Sequence, residues 1–145
     1  MIFMPRLTSA AAVSAVGVLA LCGALYAQDA KKDPKRPQLL LKATPNSGMV
    51  PIRISGFAEL KGGDEDFEEY YCPTIEWNWG DGTVSESSND CEPYEAGKSQ
   101  IHRRYSVTHQ YRQGGQYRIS FRLKQKTRIV GTATTVVQIL GSAIP

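Results

Sequence analysis

An all-β fold, two sheets packed as a sandwich, is what this sequence predicts. Three observations carry the prediction. Apolar and polar residues alternate with period two, most cleanly at Tyr117, Ile119, Phe121 and Leu123 against Arg118, Ser120, Arg122 and Lys124. Trp77 and Trp79 stand two apart, so both indoles face one side of a strand, and the run stops at the turn signal Gly80-Asp81-Gly82. Short runs of this kind follow one another with turn residues between them and no helical period, which is the signature of a sandwich.

The elements are justified in order along the chain. Residues 1–27 are expected to lie outside the domain. Residues 1–6 carry one positive charge, Arg6; residues 7–24 are uncharged and rich in Ala, Val and Leu; Leu25-Tyr26-Ala27 suits signal peptidase. That is the pattern of a secretory signal peptide, 1–27. An uncleaved anchor is the second reading, because 7–27 is long enough to span a bilayer. It would leave Lys31, Lys32, Lys35 and Arg36 outside, against the positive-inside tendency. Acylation of Cys22 is the third, although Leu21 stands where a lipobox has Gly, Ala or Ser.

Residues 28–37 are charged, contain two Pro and read as a linker, so the domain is expected over 38–145. Residues 39–43 form a plausible first strand and 44–48 a turn. Val50, Ile52 and Ile54 alternate with Pro51, Arg53 and Ser55; since Pro51 lacks an N–H, that strand lies at an edge or begins there. Residues 62–69 form an acidic loop. Ile75, Trp77 and Trp79 face inward on the next strand, with Glu76 and Asn78 outward. Residues 84–97 are polar and read as loop, pinned by Cys91. Ile101, Arg103, Tyr105 and Val107 alternate again, and the Thr/Val-rich run 131–140 closes the domain. There is no internal repeat.

Lys and Arg total 17 against 14 Asp and Glu, a net charge of +3, which makes no case for a nucleic-acid or membrane-surface partner. Membrane contact is expected only if the N-terminal segment is retained or Cys22 is lipidated. Cleavage leaves two cysteines, Cys72 and Cys91. In an exported chain an even count reads as a disulfide, worth roughly 3 kcal/mol for a loop of about 20 residues. A metal pair is the alternative, but no nearby His or further Cys would complete a tetrahedral site.

The order of motifs supports a family resemblance. A Gly-x-Val-Pro segment precedes Trp77-Asn78-Trp79-Gly80-Asp81-Gly82-Thr83. His109-Gln110-Tyr111, Gly114-Gly115-Gln116-Tyr117 and a Val/Ile-rich last strand follow. This resembles a PKD (polycystic-kidney-disease) domain, an immunoglobulin-like β-sandwich, over about residues 43–140. Trp77, Trp79, Gly80, Asp81, Gly82, His109, Tyr111, Gly115 and Tyr117 carry the match. Asn78 stands where the family often has Asp, and the stretch from Gly82 to His109 is long and holds Cys91. The resemblance implies contacts with protein or carbohydrate and no catalysis. Core and turn duties account for these motif residues: Trp77 and Trp79 bury a large area, Asp81 accepts from its own turn, Tyr111 resembles a tyrosine corner and His109 packs beside it.

Chemistry-bearing constellations are few. His102 and His109 are the only neutral-pH bases, and no nucleophile elbow, His-Glu-x-x-His pair or phosphate loop occurs. An enzyme is therefore not expected. Asp64, Asp66 and Glu68, with Glu65, Glu69, Asp90, Glu92 and Glu95, suggest a calcium site; a solvated acidic loop is the plainer reading, and otherwise no cofactor is expected. Arg118, Arg122, Lys124 and Lys126, with Arg103 and Arg104, form a basic face that serves solubility or docks an anionic partner. The aromatics Phe67, Tyr70, Tyr71 and Tyr94 surround the cysteines and are expected at the surface, with Tyr70, Tyr71 and Tyr94 the candidate binding residues. The expected role is an extracytoplasmic binding module (periplasmic, secreted or at the cell surface) whose partner is a protein or polysaccharide of the cell envelope. A purely structural spacer and a calcium-dependent adhesion module are the alternatives.

Overall fold

The computed structural model describes residues 35–141. The expected signal peptide 1–27, Cys22 and most of the linker lie outside the described residues. Eight strands are β1 (Gln38–Thr44), β2 (Ser47–Met49), β3 (Ile52–Lys61), β4 (Thr74–Asn78), β5 (Val84–Ser87), β6 (Arg104–Tyr111), β7 (Gly115–Gln125) and β8 (Arg128–Leu140), with one 3-10 turn at Glu68–Tyr70. They form a three-stranded sheet in the order β1-β3-β6 and a five-stranded sheet in the order β2-β8-β7-β4-β5. This is an immunoglobulin-like β-sandwich: β1, β3 and β6 hold the places of strands A, B and E, and β8, β7, β4 and β5 those of G, F, C and C′.

Period-two patterning puts the core between the sheets. Ile54, Ala58 and Leu60 of β3 face Ile75, Trp77, Ile119, Phe121 and Leu123 of β4 and β7, all buried. Trp77 meets the Phe121 ring edge-on at 4.6 Å and stacks on Trp79 at 5.6 Å. Gly56 leaves room for this: a Cβ there would lie 2.6 Å from the Trp77 ring. Such an aromatic cluster gains both area burial and favourable ring geometry.

Several expectations about the elements need correction, the first being that the alternating run read from Ile101 becomes a strand only from Arg104 to Tyr111. Residues 84–87, read as loop, form β5. It pairs with β4, Glu76 opposite Glu86 and Asn78 opposite Val84, and every one of its residues is exposed. Its inward positions are Ser85 and Ser87, so the alternation that marks a half-buried strand is missing. The turn 44–48 is a sheet switch: β1 ends at Thr44, and Ser47–Met49 crosses over to run parallel to β8. The last strand begins at Arg128 and not at 131, because Lys126-Thr127 makes a two-residue turn with Lys126 at φ 57° and Gln125 opposite Arg128. Finally, Lys35, Arg36 and Pro37, assigned to the linker, belong to the folded domain. Pro37 is buried, and the Asp64 N–H donates to the Lys35 carbonyl at 2.8 Å.

Candidate functional site

The cysteine region is built from two loops joined by a bond. The Cys72–Cys91 disulfide forms, tying the start of β4 to the loop beyond β5 with Cα atoms 6.2 Å apart. Three further links hold the loops. The Tyr71 hydroxyl donates to the Glu92 carbonyl at 2.8 Å, and the Tyr94 hydroxyl donates to the Asp66 carbonyl at 2.6 Å. The Gly97 N–H donates to the Asp66 carboxylate at 2.8 Å. The rings of Tyr71 and Tyr94 meet edge-on at 5.5 Å. Both tyrosines are half-buried, and their hydroxyls are committed to backbone.

Tyr70 does not belong to this surface. It is 3% exposed, at the end of the 3-10 turn, where it packs edge-on against Phe67 at 5.1 Å. Its ring points under β8, which the alternation of neighbouring tyrosines gave no way to foresee. The hydroxyl accepts from Arg36 Nε at 3.0 Å. Arg36 is the residue that sequence reasoning missed. It lies over the rings of Phe67 and Tyr70, pairs with Glu69 at 2.8 Å and donates to the Val130 carbonyl. Only its place beside Pro37 hinted that the linker had ended. Arg103 has a similar role, donating to the carbonyls of Leu60 and Gly62 at 3.1 and 2.8 Å and pairing with Glu65 at 2.9 Å.

These arginines consume much of the acidic loop. Burial and the nearby carboxylates of Asp66, Glu68 and Asp64 push the Tyr94 hydroxyl pKa up, but among the described residues no group of three or more His, Cys, Asp or Glu is placed to hold a metal ion. The proposed basic face is also neutralised in part. Glu76 accepts from Lys124 at 3.0 Å and Arg122 at 2.9 Å, and Lys124 reaches Glu86 at 2.7 Å. The Lys124 hydrogen bond, joined by that of Arg122, overcomes burial and holds the Glu76 carboxyl below the usual glutamate range. Lys126 sits in the hairpin turn and not on the strand face.

The motif residues meet at the other end of the sandwich. Trp79 is 1% exposed and stacks on the His109 imidazole at 4.7 Å. His109 Nε2 lies 2.7 Å from Asp81 Oδ2, and the Thr83 N–H donates to Asp81 Oδ1 at 3.0 Å. Gly80 and Gly82 take φ 78° and 90°, the left-handed conformation that this tight turn requires. Gly115 opens β7 opposite Ile139. Tyr111 is buried and donates to the Trp79 carbonyl at 2.7 Å, a bond between sheets. The local back-bond of a tyrosine corner is made by Tyr117, which donates to the Gln113 carbonyl at 2.8 Å.

Burial by itself would raise the Asp81 carboxyl, but the hydrogen bonds from Thr83 and His109 outweigh it and hold the group below the ordinary aspartate value. A carboxyl depressed in the folded state contributes stability above its unfolded pKa and loses it as pH falls through the folded one. Thermal melts should therefore show wild-type stability falling below about pH 4, with a shallower acid limb in Asp81→Asn, which is also less stable at neutral pH. Parallel acid limbs in the two proteins would contradict this.

No protein-family model matches the chain, and neither does any curated protein. Solved structures do resemble it. The PKD domain of an M14-like peptidase from a Thermoplasmatales archaeon is 14% identical, with a TM-score of 0.48 over 74% of this chain and 98% of that one. A CARDB domain from Pyrococcus furiosus, in complex with di-metal ions, is 16% identical, with a TM-score of 0.42 over 73% of this chain and 90% of that one.

Proposed function

We propose that this chain is an exported, non-catalytic immunoglobulin-like module that contacts a protein or carbohydrate outside the cytoplasm. The observation that carries the reading is the loop end at Cys72–Cys91. An exposed loop that is cross-linked by a disulfide and by Tyr71, Tyr94 and Asp66 is pre-organised, so binding through it costs little ordering entropy. A disulfide in a small domain also fits an oxidising compartment. Among the described residues no helix is long and apolar enough to cross a membrane. The histidines have packing roles: His109 is committed to Asp81 and Trp79, and His102 packs edge-on against Tyr105 at 4.9 Å.

A cross-linked pull-down from envelope fractions, with the oxidised chain as bait, tests the reading. A protein or glycan enriched several-fold over a Tyr71→Ala/Tyr94→Ala bait is the expected result. Equal capture by both baits, each shown to be folded, would overturn the assignment to this loop end.

A further inference from the structure

The sandwich is open along one side. β6 lies over β4, since Trp79 stacks on His109 and accepts the Tyr111 bond. β5 extends one strand beyond β4, and the three-stranded sheet ends at β6, so among the described residues no strand lies opposite β5. A constant-type immunoglobulin sandwich would place a fourth strand there, beside β6. In this chain the residues between β5 and β6 are spent on the disulfide-pinned loop.

The edge left behind has a defined polarity. The Leu60 N–H donates to the Arg103 carbonyl at 2.8 Å, which sets the phase of the antiparallel ladder. Odd-numbered residues of β6 bond to β3, while Arg104, Ser106, Thr108 and Gln110 turn N–H and C=O away from it. Among the described residues no strand pairs with them. A hollow lies on each face of this edge. The inner one, about 460 Å³, runs between β5 and β6 over Trp77, Ser85 and Tyr105. The outer one, about 490 Å³, is bounded by Phe57 and Ser106, with Phe57 49% exposed. Tyr105 lines this region, while its hydroxyl is shielded from solvent and has no hydrogen-bond partner.

We propose that the free edge of β6 is a docking site for a single extended segment of a partner polypeptide, which adds as the fourth strand of its sheet. Main-chain bonds to Arg104, Ser106 and Thr108 would hold the segment, and its side chains would alternate between the two hollows. The inward set is small and polar, facing Ser85, Ser87 and His102. The outward set is apolar and rests on Phe57. Arg104 is 84% exposed in its side chain and pairs with Glu59 at the long distance of 3.6 Å, so an acidic residue in the segment is favoured. This deepens the reading of the chain as a binding module and rests on it.

The overhang of β5 is one strand wide, about 4.8 Å. A second copy brought edge to edge would carry its own β5 into the space of β4, so the occupant is a lone strand. The partly covered edge at β8 suits a visitor less well. β2 covers β8 at Gln138–Leu140, Arg36 takes the Val130 carbonyl and β1 packs close along it.

The test is a displayed library of random linear peptides, roughly ten residues long to match a strand, panned on the oxidised full chain. Selected peptides are expected to alternate small polar with apolar residues and to slow amide exchange at Arg104, Ser106 and Thr108. Ser106→Pro removes an N–H that β3 does not use and should weaken the selected peptide at least about tenfold. Thr134→Pro, on the β8 edge, should leave affinity unchanged. Should Ser106→Pro not fold, the exchange footprint on the unaltered protein decides. Protection confined to residues 88–100 would overturn strand docking and leave the binding-module reading standing. No selected peptide from folded protein, an unchanged affinity in folded Ser106→Pro, or a dimer protected at β6 without peptide would each overturn it as well.

Discussion

Trp79→Ala is expected to destabilise the domain by about 3–5 kcal/mol, the range for emptying a buried aromatic site. The indole is 1% exposed, lies between Trp77 and His109, and the residue's carbonyl accepts the Tyr111 hydroxyl. Its loss opens a cavity at the point where β4 and β6 are held together across the two sheets. Against a typical domain stability of about 5–15 kcal/mol, that is a large fraction. Urea titrations should show the midpoint falling sharply with little change in slope. A midpoint within experimental error of wild type would mean that the motif does not hold the sheets together.

Removing the disulfide ranks second. The double variant Cys72→Ser/Cys91→Ser should lose about 3 kcal/mol on the chain-entropy account, given a sequence separation of 19. The loss has a local signature too. Amides of residues 88–100 should exchange faster, while the β7–β8 ladder, which pairs from Gly115 to Gln125, keeps its protection ranking. The same stability in the variant would leave Tyr71, Tyr94 and Asp66 as sufficient clamps by themselves.

What was legible in the sequence was whatever faces the core. β7 and β4 were readable because Ile119, Phe121 and Leu123, and Ile75 and Trp77, contrast with their polar neighbours on a half-buried sheet. β5 was not, because the sheet opposite stops short of it; a strand with no core to face needs no apolar side, and Ser85 and Ser87 give it none. The hairpin at Lys126-Thr127 was hidden for a different reason. A lysine holds the positive φ there, where glycine or asparagine would have announced the turn.

The site was less legible than the fold. Even cysteine count and export pattern led to the disulfide, but the fate of the tyrosines depends on which way each ring turns from a loop. Tyr70 turns under β8, and Tyr71 and Tyr94 turn towards each other. Charge runs were the least informative. Arg36, Arg103 and Lys124 meet their acidic partners from more than thirty residues away, at distances along the chain that no local pattern records.

The most direct measurement is the redox state of Cys72 and Cys91 in protein recovered from the cells that make it. Samples are quenched in alkylating agent and weighed by mass spectrometry with and without reductant. The account predicts that both cysteines escape alkylation until reduced, in a fraction outside the cytoplasm. Two alkylated thiols in unreduced, folded protein would contradict it, because the loop end would then be unpinned and the oxidising compartment absent.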